Sequence, residues 1–329
     1  MLPPMLLAAV VAISTSAGAL QVPLKPLAQV NAALQAGEAD RALGLLKGLG
    51  PSDAGSAEAR NLECRVRFTL EQWDVAASLC EEAVRLDGQN SSYHLWLGRA
   101  LGEKANRASF LSAFSLGKRV QAEFAEAARL NPRSAEALAS LGEFYYAAPG
   151  VVGGGMDKAE SVAAQLDQVE PARAFDMRAR MAVERKDFGT AERQFKQAIA
   201  VSAHPAYQWL ALASFLRQRG RLSDMESAIH SALMAASRDP HAGLVLFDGA
   251  SVLIAANRES ALAEKMLEDY VASNSKVEDG PAFVAHVRLA RLKQQRGDTA
   301  GAEQERAAAL ALAHDYKPAQ DLRLQETRH

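Results

Sequence analysis

One helical unit recurs along this chain, and that recurrence constrains the fold more than any composition value does. The windows "YHLWLGRAL" from Tyr93, "ALASLGEFYY" from Ala137 and "YQWLALASFL" from Tyr207 each place a small residue directly after a leucine: Gly98, Gly142 and Ala213. A second apolar stretch follows several of them and ends at a proline, as in "EFAEAARLNP" (Pro132) and "AESVAAQLDQVEP" (Pro171). Short polar turns separate paired stretches: "EQWDVA" at 71–76, "RKDFGTA" at 185–191, "RGRLSDM" at 219–225 and "RGDTAGA" at 296–302. No stretch alternates apolar and polar residues as a half-buried strand would. Alanine is abundant and proline sparse, so the chain reads as a series of helix–turn–helix units.

Each unit resembles the tetratricopeptide repeat (TPR), a 34-residue helical hairpin. Leu141, Gly142 and Tyr145, followed by Ala159 and Pro171, match its pattern of large and small positions, and Trp209, Leu212, Ala213, Ile229 and Ala232 match it again. In that family the small residues let the two helices approach, and the large ones fill the space between hairpins. Eight hairpins can be laid along the chain, at 27–50, 58–88, 91–132, 135–171, 172–203, 206–238, 242–273 and 281–313, the first and seventh degenerate. The resemblance implies an all-α fold, a right-handed superhelical solenoid of about eight TPR-like repeats. The ends of such a stack need covering, and the tail "YKPAQDLRLQETRH" suits a polar terminal helix over the last repeat.

Two hairpins exceed the repeat. Gly98 and Pro132 lie ten residues further apart than the pattern allows, and Gly142 and Pro171 five, so enlarged turns are expected near 102–120 and 148–156. The second of these contains Gly150-Val-Val-Gly153-Gly154-Gly155. It is no Walker A loop, because Met156-Asp157-Lys158 displaces the lysine and no hydroxyl residue follows it. Nor does it follow a strand, as a dinucleotide fingerprint must. The first enlargement mixes Phe110, Leu111, Phe114 and Leu116 with Lys104, Arg107, Lys118 and Arg119. Two readings stand for it: an edge that docks a partner or an anionic membrane surface, or a long hairpin whose phenylalanines fold back onto the next repeat.

The family's first helices line a concave groove. Carrying its groove positions over residue by residue gives Arg65, Phe68, Trp96, Arg99, Glu143, Tyr146, Asp176, Arg180, Tyr207 and Arg217, with Met177 beside them. Aromatics and arginines are the residue types that dominate binding hot spots, so the groove implies a protein or peptide partner, with arginines orienting its acidic groups. The carboxylate clamp of chaperone-binding members is absent: the paired positions read Asn61/Arg65, Leu95/Arg99, Ala139/Glu143, Asp176/Arg180 and Leu210/Ser214.

Chemistry finds little purchase elsewhere. With 37 basic and 39 acidic residues the net charge is −2, which gives no electrostatic case for nucleic acid. None of the seven histidines (His94, His204, His230, His241, His286, His314, His329) pairs at metal-ligand spacing, and no cofactor or nucleophile motif is present, so no enzyme activity is expected. Cys64 and Cys80 stand at facing levels of the two helices of the second hairpin; a bridge and a pair of small buried core residues suit those positions alike. Residues 1–19 carry no charged side chain, have an apolar centre from Met5 to Ile13 and end in Ala17-Gly18-Ala19. That is the pattern of an export signal cleaved after Ala19, which leaves 20–329 as a soluble periplasmic or secreted solenoid. The expected function is a non-enzymatic scaffold of the cell envelope. The alternatives are an assembly factor docking through the 102–120/148–156 edge, and an enzyme with a cryptic site.

Overall fold

The computed structural model describes residues 24–240 and 242–323, and the expected export signal lies outside them. All regular structure among these residues is helical. Eight hairpins follow one another within them: α1 (Pro26–Gln35) with α2 (Ala39–Lys47), then, after the single turn α3 (Pro51–Ala54), α4 (Ala57–Thr69) with α5 (Trp73–Leu86). The third and fourth hairpins are α6 (Ser91–Asn106) with α7 (Phe110–Leu130) and α8 (Ala135–Ala147) with α9 (Met156–Leu166). The remaining four are α10 (Pro171–Glu184) with α11 (Phe188–Val201), α12 (Ala206–Gln218) with α13 (Leu222–Ala236), α14 (Leu244–Ala256) with α15 (Ser260–Ala272), and α16 (Ala282–Gln295) with α17 (Thr299–Leu312). A last single turn, α18 (Lys317–Gln320), follows.

Small residues set the helix separations. A Cβ on Gly98 would stand 2.5 Å from the Phe124 ring, and one on Gly142 would stand 2.2 Å from Met177. Ala159, Ala191, Ala213, Ala232, Ala263 and Ala302 are fully buried at the same kind of crossing. Each tight hairpin also uses one turn chemistry. Gly37, Glu71, Lys186, Gly220, Asn257 and Gly297 adopt positive φ just after the first helix. In the second hairpin, for example, the Gln72 amide then reaches back 2.9 Å to the Arg67 carbonyl, closing helix carbonyls that would otherwise be unpaired.

The third and fourth hairpins depart from that turn, each in its own way. The extra length at 102–120 does not form a large turn. It extends the helices, α6 to 16 residues and α7 to 21, joined by 107–109. No proline or helix-breaking run interrupts this stretch, so propagation costs less than a loop. At 148–156 a wide turn does form, containing one 3-10 turn at Gly150–Val152. Gly154 packs so tightly that a Cβ would meet the Ala148 carbonyl oxygen at 1.8 Å, and the Gly155 amide donates to the Tyr145 carbonyl at 2.8 Å. The glycine run therefore serves packing of the turn.

The stack closes on itself. Val30, Leu34 and Leu43 of the first hairpin share one buried cluster with Phe283, Val287 and Tyr316 from the other end of the chain. A Cβ on Gly37 would lie 2.3 Å from the Ala282 amide nitrogen, so the two ends approach backbone to backbone. Within the described part of the tail, Tyr316 and Ala319 are buried against the last repeat; residues 324–329 lie outside the described residues. Tyr316 packs edge-on against Phe283 at 4.8 Å, and its hydroxyl donates to Glu71 at 3.2 Å. Cys64 and Cys80 form a disulfide between α4 and α5 in the second hairpin.

Candidate functional site

The first helices bring six of the expected groove residues to two cavities. The larger, about 650 Å³, is lined by Phe68 from α4, Arg99 from α6 and Glu143 from α8. Its floor is apolar, with Val120, Phe124 and Phe144. Asp279, from the connection between α15 and α16, completes the wall from the far end of the sequence. The second cavity, about 620 Å³, is lined by Asp176, Arg180 and Tyr207 together with Pro171, Val201 and Gln208. Tyr146 is half-buried on α8, and its hydroxyl titrates above the usual phenol range because of burial and the nearby Glu143 carboxylate. Burial likewise raises the Tyr207 phenol. Both phenols are therefore neutral at physiological pH.

Three of the four groove arginines are committed within the chain. Arg65 meets Glu278 in a two-pronged pair, its Nε 2.9 Å from one carboxylate oxygen and its Nη2 2.7 Å from the other. The same Nη2 donates to Asn31 at 3.2 Å, and the Glu278 amide donates to Gln35 at 3.2 Å. Arg99 pairs with Glu136 at 2.6 Å. Arg180 pairs with Asp176 at 2.7 Å, and that carboxylate holds its guanidinium firmly charged. Trp96 is buried, with Arg65 and Arg99 at 5.4 and 4.7 Å from its ring and Phe68 edge-on at 5.5 Å. Trp96 itself lines neither cavity, packing behind Phe68 and Arg99, and Arg65 and Tyr146 line neither as well. Met177 is buried against Gly142. Arg217, on the last turn of α12, lines neither cavity.

Several residues of this inner face carry no signal in the repeat pattern. Glu278 and Asp279 belong to the long connection "NSKVEDG" between the seventh and eighth hairpins, and Asn31 and Gln35 to the degenerate first. Asp248, on α14, has its carboxyl raised to about 6 by burial, with Arg288 opposing and Asp279 adding to the shift. The Arg288 guanidinium stacks 4.0 Å over Phe247 and donates to the Ser251 hydroxyl. Among the described residues no group of three or more histidines, cysteines or carboxylates is placed to hold a metal ion.

The enlarged hairpins also build a second feature, on the edge of the stack. Phe110 is 85% exposed, Leu111 81% and Val151 72%. The apolar side chains at the start of α7 thus project outward. The basic residues around them are mostly neutralised: Lys104 by Asp74 at 2.8 Å, Arg107 by Glu103 at 2.7 Å and Arg119 by Glu81 at 2.6 Å. Lys118 lies 4.5 Å over the Phe114 ring. Among the described residues no helix is long and apolar enough to cross a membrane.

No family model and no curated protein matches this chain. Solved structures do. Yeast Tom70 is 13% identical with a TM-score of 0.53, over 86% of this chain and 58% of that one. TTC0263, a thermophilic TPR protein of Thermus thermophilus, is 20% identical with a TM-score of 0.48, over 58% of this chain and 97% of that one. The APC/C hetero-tetramer Cut9-Hcn1 gives 11% identity and a TM-score of 0.40, over 86% of this chain and 57% of that one. The chain thus spans little more than half the length of the Tom70 and Cut9-Hcn1 chains. At these identities the likeness concerns fold, and the match to Tom70 bears out an all-α, TPR-like solenoid.

Proposed function

We propose that this chain is a non-enzymatic scaffold of the cell envelope, holding a segment of a protein partner on its inner face. The observation that carries the reading is the pair of cavities, about 650 and 620 Å³, lined by first-helix residues of neighbouring hairpins. Each is an open cleft within the size range of ligand-binding pockets. Repeat solenoids use their concave side in this way. The internal pairing of Arg65, Arg99 and Arg180 shifts the recognition task from the arginines to the aromatics, the apolar floor and the remaining carboxylates. Export to a periplasmic or extracellular space is supported by the uncharged leading segment and by the Cys64–Cys80 bridge, since such bridges persist in oxidising compartments.

A second reading rests on the exposure of Phe110, Leu111 and Val151. An envelope assembly factor would dock through this edge, because isolated domains seldom leave such side chains clustered in water. Affinity capture from cell-envelope extract separates the two readings. The baits are the wild type, an inner-face variant (Glu143→Lys with Tyr207→Ala) and an edge variant (Phe110→Ser with Leu111→Ser). The inner-face reading expects one partner to be lost from the first variant alone. Loss from the edge variant alone moves the site to the edge, and no partner for any bait contradicts the scaffold.

A further inference from the structure

We infer that the larger cavity takes a partner segment presenting an apolar side chain beside a lysine or arginine. The inference rests on the inner-face reading above and adds the chemistry of the ligand. Its first support is that the extra length of the third and fourth hairpins goes into the walls of this cavity. Asn106, at the end of the lengthened α6, lines it, as do Gly117 of the lengthened α7 and Pro149 and Val152 of the wide turn. These residues belong to the length in excess of the 34-residue unit, so the departure from the repeat supplies part of the cavity wall.

A second support is Gly102. It sits inside α6, where glycine costs backbone entropy relative to alanine. Close packing does not demand it, because a Cβ at this position meets nothing within 4 Å. Gly98, one turn earlier, is the contrast: a Cβ there would run into Phe124 at 2.5 Å. Gly98 is small so that two helices can touch. Gly102 is small beside open cavity.

Charge decides what fills it. Three carboxylates, Glu103, Glu143 and Asp279, line the cavity against the single guanidinium of Arg99. Arg99 is already paired with Glu136 and stacked on Trp96, and Glu103 is paired with Arg107. Glu143 and Asp279 make no ion pair among the described residues; the Arg180 guanidinium lies near enough to Glu143 to feel its charge but is itself paired with Asp176. An acidic ligand would meet like charge at both Glu143 and Asp279, whereas a cationic head would meet opposite charge at either. The aliphatic stem of Lys or Arg, or a neighbouring apolar residue, would lie on Phe68, Val120, Phe124 and Phe144.

The test is selection from a display library of random short peptides on the full chain. Selected peptides are then measured by fluorescence anisotropy against wild type, Glu143→Lys, Gly102→Trp and, in the second cavity, Tyr207→Ala. Glu143 is solvent-exposed, so its substitution does not threaten folding; folding of Gly102→Trp is checked by circular dichroism. The expected result is enrichment of apolar–basic pairs, affinity lowered at least about tenfold by Glu143→Lys, and binding abolished by Gly102→Trp. Peptides without a basic residue, or binding that survives both substitutions, would overturn the inference. If such peptides are instead lost with Tyr207→Ala, the inner-face reading stands while the cation chemistry falls. No enrichment at all overturns both.

Discussion

The seam where the first two hairpins meet the end of the solenoid and the cavity between the third and fourth use the same residue types to opposite ends. At the seam, Arg65 and Glu278 are spent on each other, with side-chain exposures of only 15% and 14%. Around the cavity, Glu143 and Asp279 face open space. A glycine at the seam, Gly37, is pinned by a backbone 2.3 Å from where its Cβ would be, while Gly102 at the cavity has nothing within 4 Å. Closure of the solenoid thus consumes polar groups that would otherwise recognise a ligand. What stays available for recognition is what closure does not reach.

The largest expected effect breaks the seam itself. Gly37→Ala adds a Cβ that strikes Ala282 and places alanine at a φ of +72°. It should destabilise by about 3 kcal/mol or more. Gly117→Ala, where a Cβ reaches only ordinary contact with Val152 at 3.4 Å, should be neutral or gain up to about 1 kcal/mol of helix propensity. Thermal melts of the two variants give the comparison. Similar melting temperatures would remove the distinction between the regions.

Arg65→Ala should cost about 2 kcal/mol in denaturant unfolding, because it leaves the Glu278 carboxylate largely buried without its partner. Restoring neutrality with Glu278→Gln in the same chain should recover part of that loss. A smaller effect is expected from pH. The Asp248 carboxyl is raised to about 6 in the fold against an ordinary value of 3.8. The native state therefore holds a proton that the unfolded chain releases between those values, so this group adds stability as pH falls through 6 and opposes it above. Asp248→Asn should flatten that part of the stability–pH curve, and an unchanged slope would place the titration elsewhere. Smallest of all, Phe110→Ser should change stability by no more than about 0.5 kcal/mol, since the ring is 85% exposed. A large loss would mean that the edge is part of the core.

The repeat makes most of the fold legible. The hairpin expected at 206–238 appears as Ala206–Gln218 and Leu222–Ala236, and the one at 281–313 as Ala282–Gln295 and Thr299–Leu312. Helical periodicity and small-residue spacing are local, so one hairpin's sequence is enough to place its helices. The register within the first helices also puts Phe68, Arg99 and Glu143 at one cavity, and Asp176, Arg180 and Tyr207 at the other. What the sequence hides is long-range. Arg65 and Glu278 are 213 residues apart, and their meeting depends on rotations summed over every intervening hairpin. No single repeat encodes that sum. For the same reason Arg65 looks available in the sequence although it is paired in the fold; Arg99 pairs with Glu136 of the next hairpin, and Arg180 with Asp176 four residues before it, a spacing that helical geometry alone makes legible. The extra residues near 102–120 suggest a turn and form helix instead, because length past the repeat does not itself say which of the two absorbs it.

The most direct test of the central claim, that a partner segment lies on the inner face, is hydrogen exchange of the wild type with its captured partner. Protection is expected in α6 around 98–106 and in α8 around 140–147, with the exposed edge at 110–114 unchanged. Protection confined to 110–114 and Val151, with α6 and α8 exchanging as in the free protein, would contradict it.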